Sequence, residues 1–392
     1  MRKIKKSPWL VAGVLALALP AAVAGVEGRK ADKPAYKFKT VSEVRHTPVK
    51  DQYHTGTCWC FATVSFLEAE ALRLGRGEVD LSEMFVVRHT YPKKALNYVQ
   101  MHGNAVHQQG GQAHDVIDQV RQFGIVPEEV YSGMNIGQQR HNHGEMVTVL
   151  QGMVDAVLER RGTRLTPRWL EAYESVLDTY LGKVPAEFPW REKTYTAMTF
   201  FTDFLGLDLD DYIELTSYDT HPFYGKCRLE IPDNWTYNSD YFNLPIEELE
   251  SVVERALTEG YSVVWDGDVS ERDFSTRETG YALVPEKDWE DQTTAEREKK
   301  PAAPLKEKEV TQEMRTRTLR DFSTTDDHLM HIVGLAQDQT GARFYRVKNS
   351  GGTDRKYDGY LYMSLPYFRL KTTALMVNRN SLSAELRSKL GL

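Results

Sequence analysis

The chain has 392 residues, of which 41% are hydrophobic and 27% are charged, and its formal net charge is −7 at pH 7. This composition is typical of a globular protein, long enough for two or three domain-sized units or for one elaborated enzyme domain. The negative balance argues against nonspecific binding to nucleic acid, which depends on a basic surface.

The first 25 residues have the pattern of a secretory signal peptide. Four basic residues within residues 1–6 precede an apolar stretch at 10–23, and small residues suited to cleavage follow. The apolar stretch is short for a membrane span, so we expect a periplasmic or secreted protein without other membrane association, with an uncleaved N-terminal anchor as the alternative. Loss of this segment would remove four positive charges and take the net charge to −11. Residues 26–45 are polar and aperiodic, and are predicted to be an N-terminal surface segment.

The next stretch places a cysteine at the start of a helix. Gln52 lies six residues before Cys58, and apolar residues then recur at three- and four-residue steps from Phe61 onwards. Two glycines end the pattern, which predicts a helix over residues 58–74. In the first turn of a helix, the unpaired backbone N–H groups and the helix dipole favour a thiolate. Cys58 therefore has the position that a nucleophilic sulfur needs.

The chain has three cysteines, Cys58, Cys60 and Cys227. An odd number leaves at least one free thiol in an exported protein. Cys60 and Cys227 could form a disulfide, but two buried free thiols are the preferred interpretation. A metal or redox site at residues 58–60 would need further ligands or a resolving cysteine, and none appears at a workable spacing. Residues 141–143, His-Asn-His, suggest a metal only faintly, so no metal and no cofactor are expected.

The remaining pattern is helical first and strand-rich last. Helices are predicted at 81–89, 113–123, 144–182, 195–216 and 244–257, and residues 130–240 look like an inserted helical subdomain. Strands are predicted at 261–265, 328–336, 343–348, 359–363 and 373–378. Residues 287–310 are rich in Lys, Glu, Ala and Pro and are predicted to be a mobile charged loop. This order fits an α+β enzyme with a cleft between a helical half and an antiparallel β half.

A cysteine nucleophile needs a base, and the base needs a group that orients it. His328 begins one predicted strand and Asn349 follows the next, so antiparallel neighbours can place them side by side. The asparagine oxygen would accept the imidazole N–H, and the other ring nitrogen would face Cys58. His331 competes as the base, but three residues along a strand it points to the opposite face. It is more simply a core or back-face histidine.

These stretches, in this order, resemble the papain superfamily of cysteine peptidases, and more closely its bleomycin hydrolase and aminopeptidase C branch. The shared motifs are Gln-x5-Cys-Trp-x-Phe at 52–61, Gly-Gly-Gln at 110–112, His-x-Met at 328–330 and Val-x-Asn-Ser-x-Gly at 347–352. The match runs from about residue 41 to residue 382, and implies a papain-like peptidase domain over residues 46–392. Ser-Gly-Gly replaces the family's Ser-Trp-Gly after Asn349, and Tyr360 is a candidate to replace the lost tryptophan as a shield.

The resemblance implies a catalytic set of four residues. Cys58 would be the nucleophile, His328 the base and Asn349 the residue that orients the base. Gln52 would donate its side-chain amide to the oxyanion, together with the backbone N–H of Cys58.

The resemblance also implies how substrate is held. Gly110 and Gly111 would form a short ladder with an extended peptide, and Trp59 is assigned to the same substrate-binding side. In the resembled branch a C-terminal arm enters the cleft and holds the free amine of the substrate. Here the last residues are predicted to be helical and to stop short of Cys58.

These expectations favour an exported cysteine peptidase that acts as an aminopeptidase and whose partners are peptide substrates. One alternative is an endopeptidase with an open cleft, and another is a non-catalytic peptide-binding protein that keeps the fold. An acyltransferase or amidase could use the same residues. A homo-oligomer is possible, and nucleic acid is not expected as a partner.

Overall fold

The structure is a computed structural model that describes residues 36–160, 164–298 and 304–392. The predicted signal peptide and part of the predicted charged loop therefore lie outside the described residues. Among the residues that are described, none of the helices has the length and apolar character needed to cross a membrane.

Eleven α-helical segments occur in the described part of the chain. They are α1 Cys58–Arg73, α2 Glu83–Gln100, α3 Ala113–Phe123, α4 Gly144–Glu159, α5 Arg168–Leu181, α6 Ala197–Thr199, α7 Ile246–Thr258, α8 Thr294–Glu298, α9 Gln312–Arg320, α10 Leu365–Lys371 and α11 Ala384–Leu390. A π-helical turn, Phe200–Leu205, continues α6.

The strands form one large sheet and one separate hairpin. They are β1 Lys39–Glu43, β2 Phe188–Trp190, β3 Lys193–Tyr195, β4 Tyr212–Thr216, β5 Lys226–Cys227, β6 Tyr241–Asn243, β7 Val263–Gly267, β8 Phe274–Ser275, β9 Tyr281–Ala282, β10 His328–Gln337, β11 Arg343–Lys348, β12 Tyr360–Ser364 and β13 Thr372–Asn378. The sheet order is β5-β6-β4-β13-β7-β10-β11-β12-β9-β8, with β1 also paired to β10, and β2 pairs β3. The mixed α+β architecture predicted from the sequence is confirmed.

Helix α1 is the centre of the fold. Every residue from Trp59 to Leu72 is buried, because α2 and α3 cover one side of the helix and β10 covers the other. A helix enclosed in this way must satisfy its own polar groups. Glu70 accepts hydrogen bonds from Arg73 and from Asn378 on β13, the latter at 2.8 Å. The C-terminal end of α1 is thereby fixed against the sheet.

The two faces of the sheet belong to different cores. On β7 and β10, Val264 and Leu329 pack into the core that contains α1. Their neighbours Trp265 and Met330 pack into the other core, which contains α7. Since successive strand residues point to opposite faces, α1 and α7 lie on opposite sides of the sheet. The last helix, α11, contributes Leu386 and Leu390 to the core of α7, and so lies on the side away from Cys58.

Three predicted elements differ from the structure. Residues 212–216, predicted as helix, form β4, which pairs antiparallel with β13. The second helix was expected to end near His89 but continues through Pro92 to Gln100, since buried residues recur every four positions from Val87 to Val99. In the N-terminal segment, residues 36–45 do lie largely at the surface, yet they add the strand β1 to the edge of β10.

Candidate active site

Cys58 is the first residue of α1, as predicted. The backbone N–H groups of Leu329 and Trp59 face its sulfur. Its own N–H has no partner inside the helix, since the first turn lacks preceding carbonyls. Three backbone donors thus converge at the start of α1, where negative charge is favoured. Cys60 and Cys227 are buried free thiols, which confirms the preferred interpretation of the cysteines.

His328 and Asn349 lie side by side at the ends of adjacent strands. The β10–β11 pairing ends at His331 and Lys348, while His328 stays paired with Gly267 on β7, so His328 and Asn349 lie just beyond the same end of the β10–β11 ladder. His328 Nε2 lies 2.7 Å from Asn349 Oδ1. Because this contact occupies Nε2, Nδ1 is the ring nitrogen that can face the cleft. The antiparallel strands thus produce the His–Asn contact that the sequence suggested.

Gln52 joins the same group through Ser350. Ser350 Oγ donates to Gln52 Oε1 at 2.5 Å, and Gln52 Nε2 donates to the carbonyl of Thr55 at 2.8 Å. An amide NH₂ has two hydrogens, so one remains for a ligand at Cys58. Ser350 N also donates to Asn349 Oδ1 at 2.8 Å. Sequence reasoning gave Ser350 no role, although it directly follows Asn349.

A short ladder fixes these two segments to each other. Gln52 N donates to the carbonyl of Ser350 at 2.9 Å, and Gly352 N donates to the carbonyl of Lys50 at 3.1 Å. Asp51 forms a bridge with Gly351 between these two bonds. The segment before α1 and the segment after β11 therefore move as one unit.

His331 is a core histidine. It is 1% exposed, and its Nδ1 lies 2.9 Å from Ser65 Oγ in the middle of α1. Burial lowers the pKa of His331 well below its usual range, and the nearby Lys348 lowers it further. The ring is therefore neutral and enclosed, two turns of helix from Cys58. Of the two alternatives for this residue, the core position is the one observed.

The Gly110–Gly111 turn lies directly over Trp59. Trp59 Nε1 donates to the carbonyl of Gln109 at 2.9 Å, and the side chain of Gln109 accepts from Gly56 N at 3.0 Å. A Cβ on Gly111 would lie 3.1 Å from the Trp59 ring and 2.8 Å from Asp115. Trp59 is 1% exposed, so it supports the turn from beneath. Gln109, which the sequence analysis did not single out, connects the turn to the loop before Cys58.

The protonation states of Cys58 and His328 depend on burial. Burial raises the pKa of Cys58 to about 11, Leu329 N–H lowers it, and Asp233 and Asp326 raise it again. Burial also lowers the pKa of His328, while the bond to Asn349 raises it. Transfer of the proton from Cys58 to His328 charges both groups together, and their attraction in a buried site offsets the two penalties.

Tyr360 does not contact the His328 ring. Its hydroxyl lies 2.8 Å from His46 Nε2, and Arg346 lies over its ring at 3.9 Å. The expectation that Tyr360 replaces the family's tryptophan therefore finds no support in its contacts. Gly351 stands where that tryptophan would be, and a Cβ there would meet only Asn349 Nδ2 at 3.8 Å and Arg355 Nε at 4.0 Å.

Comparisons with known proteins identify the family of this chain. The model of the Peptidase C1-like family matches residues 186–391, more than half of the chain. Aminopeptidase G of Lactobacillus delbrueckii subsp. lactis is 24% identical over 381 residues, which cover 86% of this chain and 82% of that protein. Mitochondrial cysteine proteinase 1 of Saccharomyces cerevisiae is 23% identical over 399 residues, covering 90% and 79%.

A solved structure supports the fold. PepW from Lactobacillus rhamnosis matches with a TM-score of 0.68 at 18% identity, over 91% of this chain and 85% of that one. At this identity the likeness concerns the fold alone, and it confirms the expected papain-like architecture. The chain belongs to the Peptidase C1-like family and is a cysteine peptidase.

Proposed function

We propose that this protein is an exported cysteine aminopeptidase that uses Cys58 as nucleophile, His328 as base and Asn349 to orient the base. The observation that supports it most directly is the 2.7 Å contact of His328 Nε2 with Asn349 Oδ1. His328 directly precedes Leu329, whose backbone N–H faces the sulfur of Cys58. A nucleophile, a base and an oriented hydrogen-bond acceptor are the three parts that thiol acyl transfer needs.

The reaction proceeds in two steps. The Cys58 thiolate adds to the carbonyl carbon of a peptide bond, and the oxyanion accepts hydrogen bonds from Gln52 Nε2 and the backbone N–H of Cys58. The imidazolium of His328 gives its proton to the leaving amine, which leaves an acyl group on the sulfur. His328 then takes a proton from a water molecule whose oxygen attacks the thioester carbon. The C–S bond breaks, the acid leaves, and the Cys58 thiolate and the His328 imidazolium are restored.

The Gly110–Gly111 turn would hold the substrate backbone. The ammonium of Lys94 already donates to the carbonyls of Gln108 and Gly110. We therefore expect Gly111 to supply the groups that pair with an extended peptide. Aminopeptidase action is favoured over the open-cleft endopeptidase because relatives over most of the chain are named aminopeptidase G and aminopeptidase W.

The assignment of the nucleophile and the base is tested with three variants. We expect Cys58→Ala and His328→Ala to lower the hydrolysis of fluorogenic amino-acid amides at least 10³-fold with little change in melting temperature. His331→Asn, which changes an equally buried histidine, should keep turnover within about tenfold, after correction for any loss of stability. Wild-type turnover in the Cys58 variant, or an active His328 variant beside an inactive His331 variant, would refute the assignment.

A thiol-directed epoxide provides a second measurement that does not depend on knowing the substrate. It should add its mass to Cys58 and leave Cys60 and Cys227 unmodified, since both of these are buried. A protein that binds peptides without catalysis would keep Cys58 unlabelled.

Export is part of the proposal and rests on the sequence of residues 1–25. The mass of the protein recovered from outside the cytoplasm should correspond to a chain that begins near residue 26. A full-length chain confined to the cytoplasm would contradict export and leave the peptidase assignment unaffected.

A further inference from the structure

The segment of residues 231–236, here called the cleft segment, is docked beside the Gly110–Gly111 turn. Trp235 Nε1 donates to Asp115 Oδ2 at 2.8 Å, and Thr236 Oγ1 lies 2.8 Å from His114 Nε2. Both partners belong to the first turn of α3, directly after the glycines. Trp235 is 5% exposed. The cleft segment is therefore fixed at the end of the cleft where the glycines would hold the substrate.

The segment places a carboxylate against the turn. A Cβ built on Gly110 would overlap the carboxyl group of Asp233. Within the described part of the chain, that carboxyl group has neither a hydrogen bond nor an ion pair, since the nearby Lys94 donates to the carbonyls of Gln108 and Gly110 instead. Asp233 is half-buried, and its charge acts on Cys58, whose pKa it raises. An unpaired carboxylate thus lies within electrostatic reach of the sulfur.

A second unpaired group lies on the same side of Cys58. Asp266 is 2% exposed, and no donor among the described residues lies at full hydrogen-bond distance from its carboxyl oxygens. Asp326, Thr373 and Gln112 lie close enough to affect its pKa, which burial raises to about 7. Asp266 pairs in register with Leu329, the residue whose N–H faces Cys58, and it shares the α1 face of the sheet. Asp326 lies next to it and accepts hydrogen bonds from Gln112 Nε2. Buried acceptors without donors are costly, so this region favours a cationic donor.

The chemistry of a peptide's first residue fits this arrangement. Only one Cα separates its amine from its carbonyl carbon, so a group that binds the amine must lie close to the nucleophile. An ammonium brings three N–H donors and a positive charge to a group of carboxyl groups that has few donors and no ion pair among the described residues.

We propose that Asp233 binds the free α-ammonium of the substrate's N-terminal residue, and that the cleft segment excludes any peptide that extends beyond it. This inference rests on the proposed function, because it places the scissile carbonyl at Cys58. It assigns the substrate class as peptides with an unblocked N-terminus. It also explains how the cleft can be closed at this end while α11 lies on the far side of the sheet.

The test measures binding without turnover. The full chain carrying Cys58→Ala is titrated by calorimetry with leucyl-alanine amide, with its N-acetyl twin and with 4-methylpentanoyl-alanine amide, which lacks only the amine. We expect the unblocked ligand to bind about 10- to 100-fold more tightly than the analogue without the amine, as for loss of a charged hydrogen bond. The acetylated ligand should bind more weakly than either, since it meets the cleft segment.

The residue is tested by adding Asp233→Asn, which keeps the shape and removes the charge. The preference for the amine should fall to within about threefold, while the acetylated ligand stays excluded. Glu230→Gln is the matched control, because Glu230 is an exposed carboxylate directly before the cleft segment and bonds to His221. It should leave all three affinities unchanged.

Three results would overturn the inference. They are equal binding of the unblocked and amine-free ligands, an undiminished preference in the Asp233 variant, and tight binding of an acetylated peptide with Lys or Arg before the scissile bond. The last result would mean that the carboxylates bind a basic side chain of the substrate and not its terminal amine. The first two results leave the proposed function standing, whereas the third would favour the endopeptidase alternative. The assignment of Cys58 and His328 is read separately, from turnover and from epoxide labelling of Cys58 in the wild-type chain.

Discussion

Asn349 uses one oxygen for two hydrogen bonds, from His328 Nε2 and from its neighbour Ser350 N. Ser350 also donates to Gln52. The group proposed to orient the base and the group proposed to bind the oxyanion are thus connected through one residue. A change at Asn349 should alter the imidazole directly and should reach the Cys58 sulfur only through the imidazole.

We expect Asn349→Ala to lower kcat/KM by about 10- to 100-fold, less than loss of the base itself, because Asn349 forms and breaks no covalent bond. The bond to Asn349 raises the pKa of His328 against the effect of burial, so its loss should lower that pKa. If the alkaline limb of the rate profile reports loss of the imidazolium proton, that limb should move to lower pH.

The measurement is kcat/KM against pH for the wild type and the variant, with Asn380→Ala, at an exposed site, as control. An unchanged alkaline limb in the Asn349 variant would show that this residue does not act through His328. A variant as inactive as Cys58→Ala would contradict an orienting role.

At the scale of elements, Lys50 anchors the segment that carries Gln52 to α1 and α2. Its ammonium lies 2.9 Å from Glu68 Oε1 on α1 and 2.7 Å from Glu83 Oε1 on α2, and it donates to the carbonyl of Leu81 at 3.0 Å. Both glutamates are buried. Burial raises the pKa of Glu83 to about 7, while Lys50 lowers it. This one cation offsets much of the cost of two enclosed carboxylates.

We expect Lys50→Met to lower the free energy of unfolding by about 3–5 kcal/mol, since it leaves two buried carboxylates without their cation. Urea denaturation at pH 7.5 measures the loss. Adding Glu83→Gln to the same chain should restore part of it, and Lys39→Met, at an exposed position of β1, should cost almost nothing. A Lys50 variant as stable as the control would show that the cluster is neutralised in another way.

The elements around the site were the most predictable from the sequence. The bounds of α3 and β11 agree with the predicted 113–123 and 343–348, and those of α1 and β10 differ at one residue each. Periodicity and capping residues are local, so a single sequence records them. β4 was missed because its strand pairing is with β13, about 160 residues later. The cleft segment was missed because Asp233 is positioned by Trp235 bonding to Asp115, which is 120 residues earlier in the chain.

At the scale of the whole molecule, the helical and β halves are joined on both sides of the cleft by buried histidines. His331 on β10 bonds to Ser65 on α1, and His114 on α3 lies 2.9 Å from Glu214 on β4. His114 carries a charge and His331 does not, because carboxylates lie beside His114 whereas burial keeps His331 neutral. Burial opposes a charge on His114, but Glu214 and then Asp115 outweigh it and raise the pKa of His114 to about 9.

This ion pair should make the stability of the whole chain depend on pH. An unfolded histidine titrates near 6.5, so the raised pKa means that His114 contributes its full stabilisation below about pH 6.5 and loses it as pH rises through about 9. The contribution is about 3 kcal/mol at its largest, since each tenfold change in proton affinity corresponds to about 1.4 kcal/mol. We therefore expect His114→Gln to be much less stable than the wild type at pH 6 and nearly as stable at pH 9.5. Urea denaturation of both proteins across this range measures the difference, with the exposed His102→Gln as control. A difference that stays constant with pH would show that His114 supports the interface by packing alone.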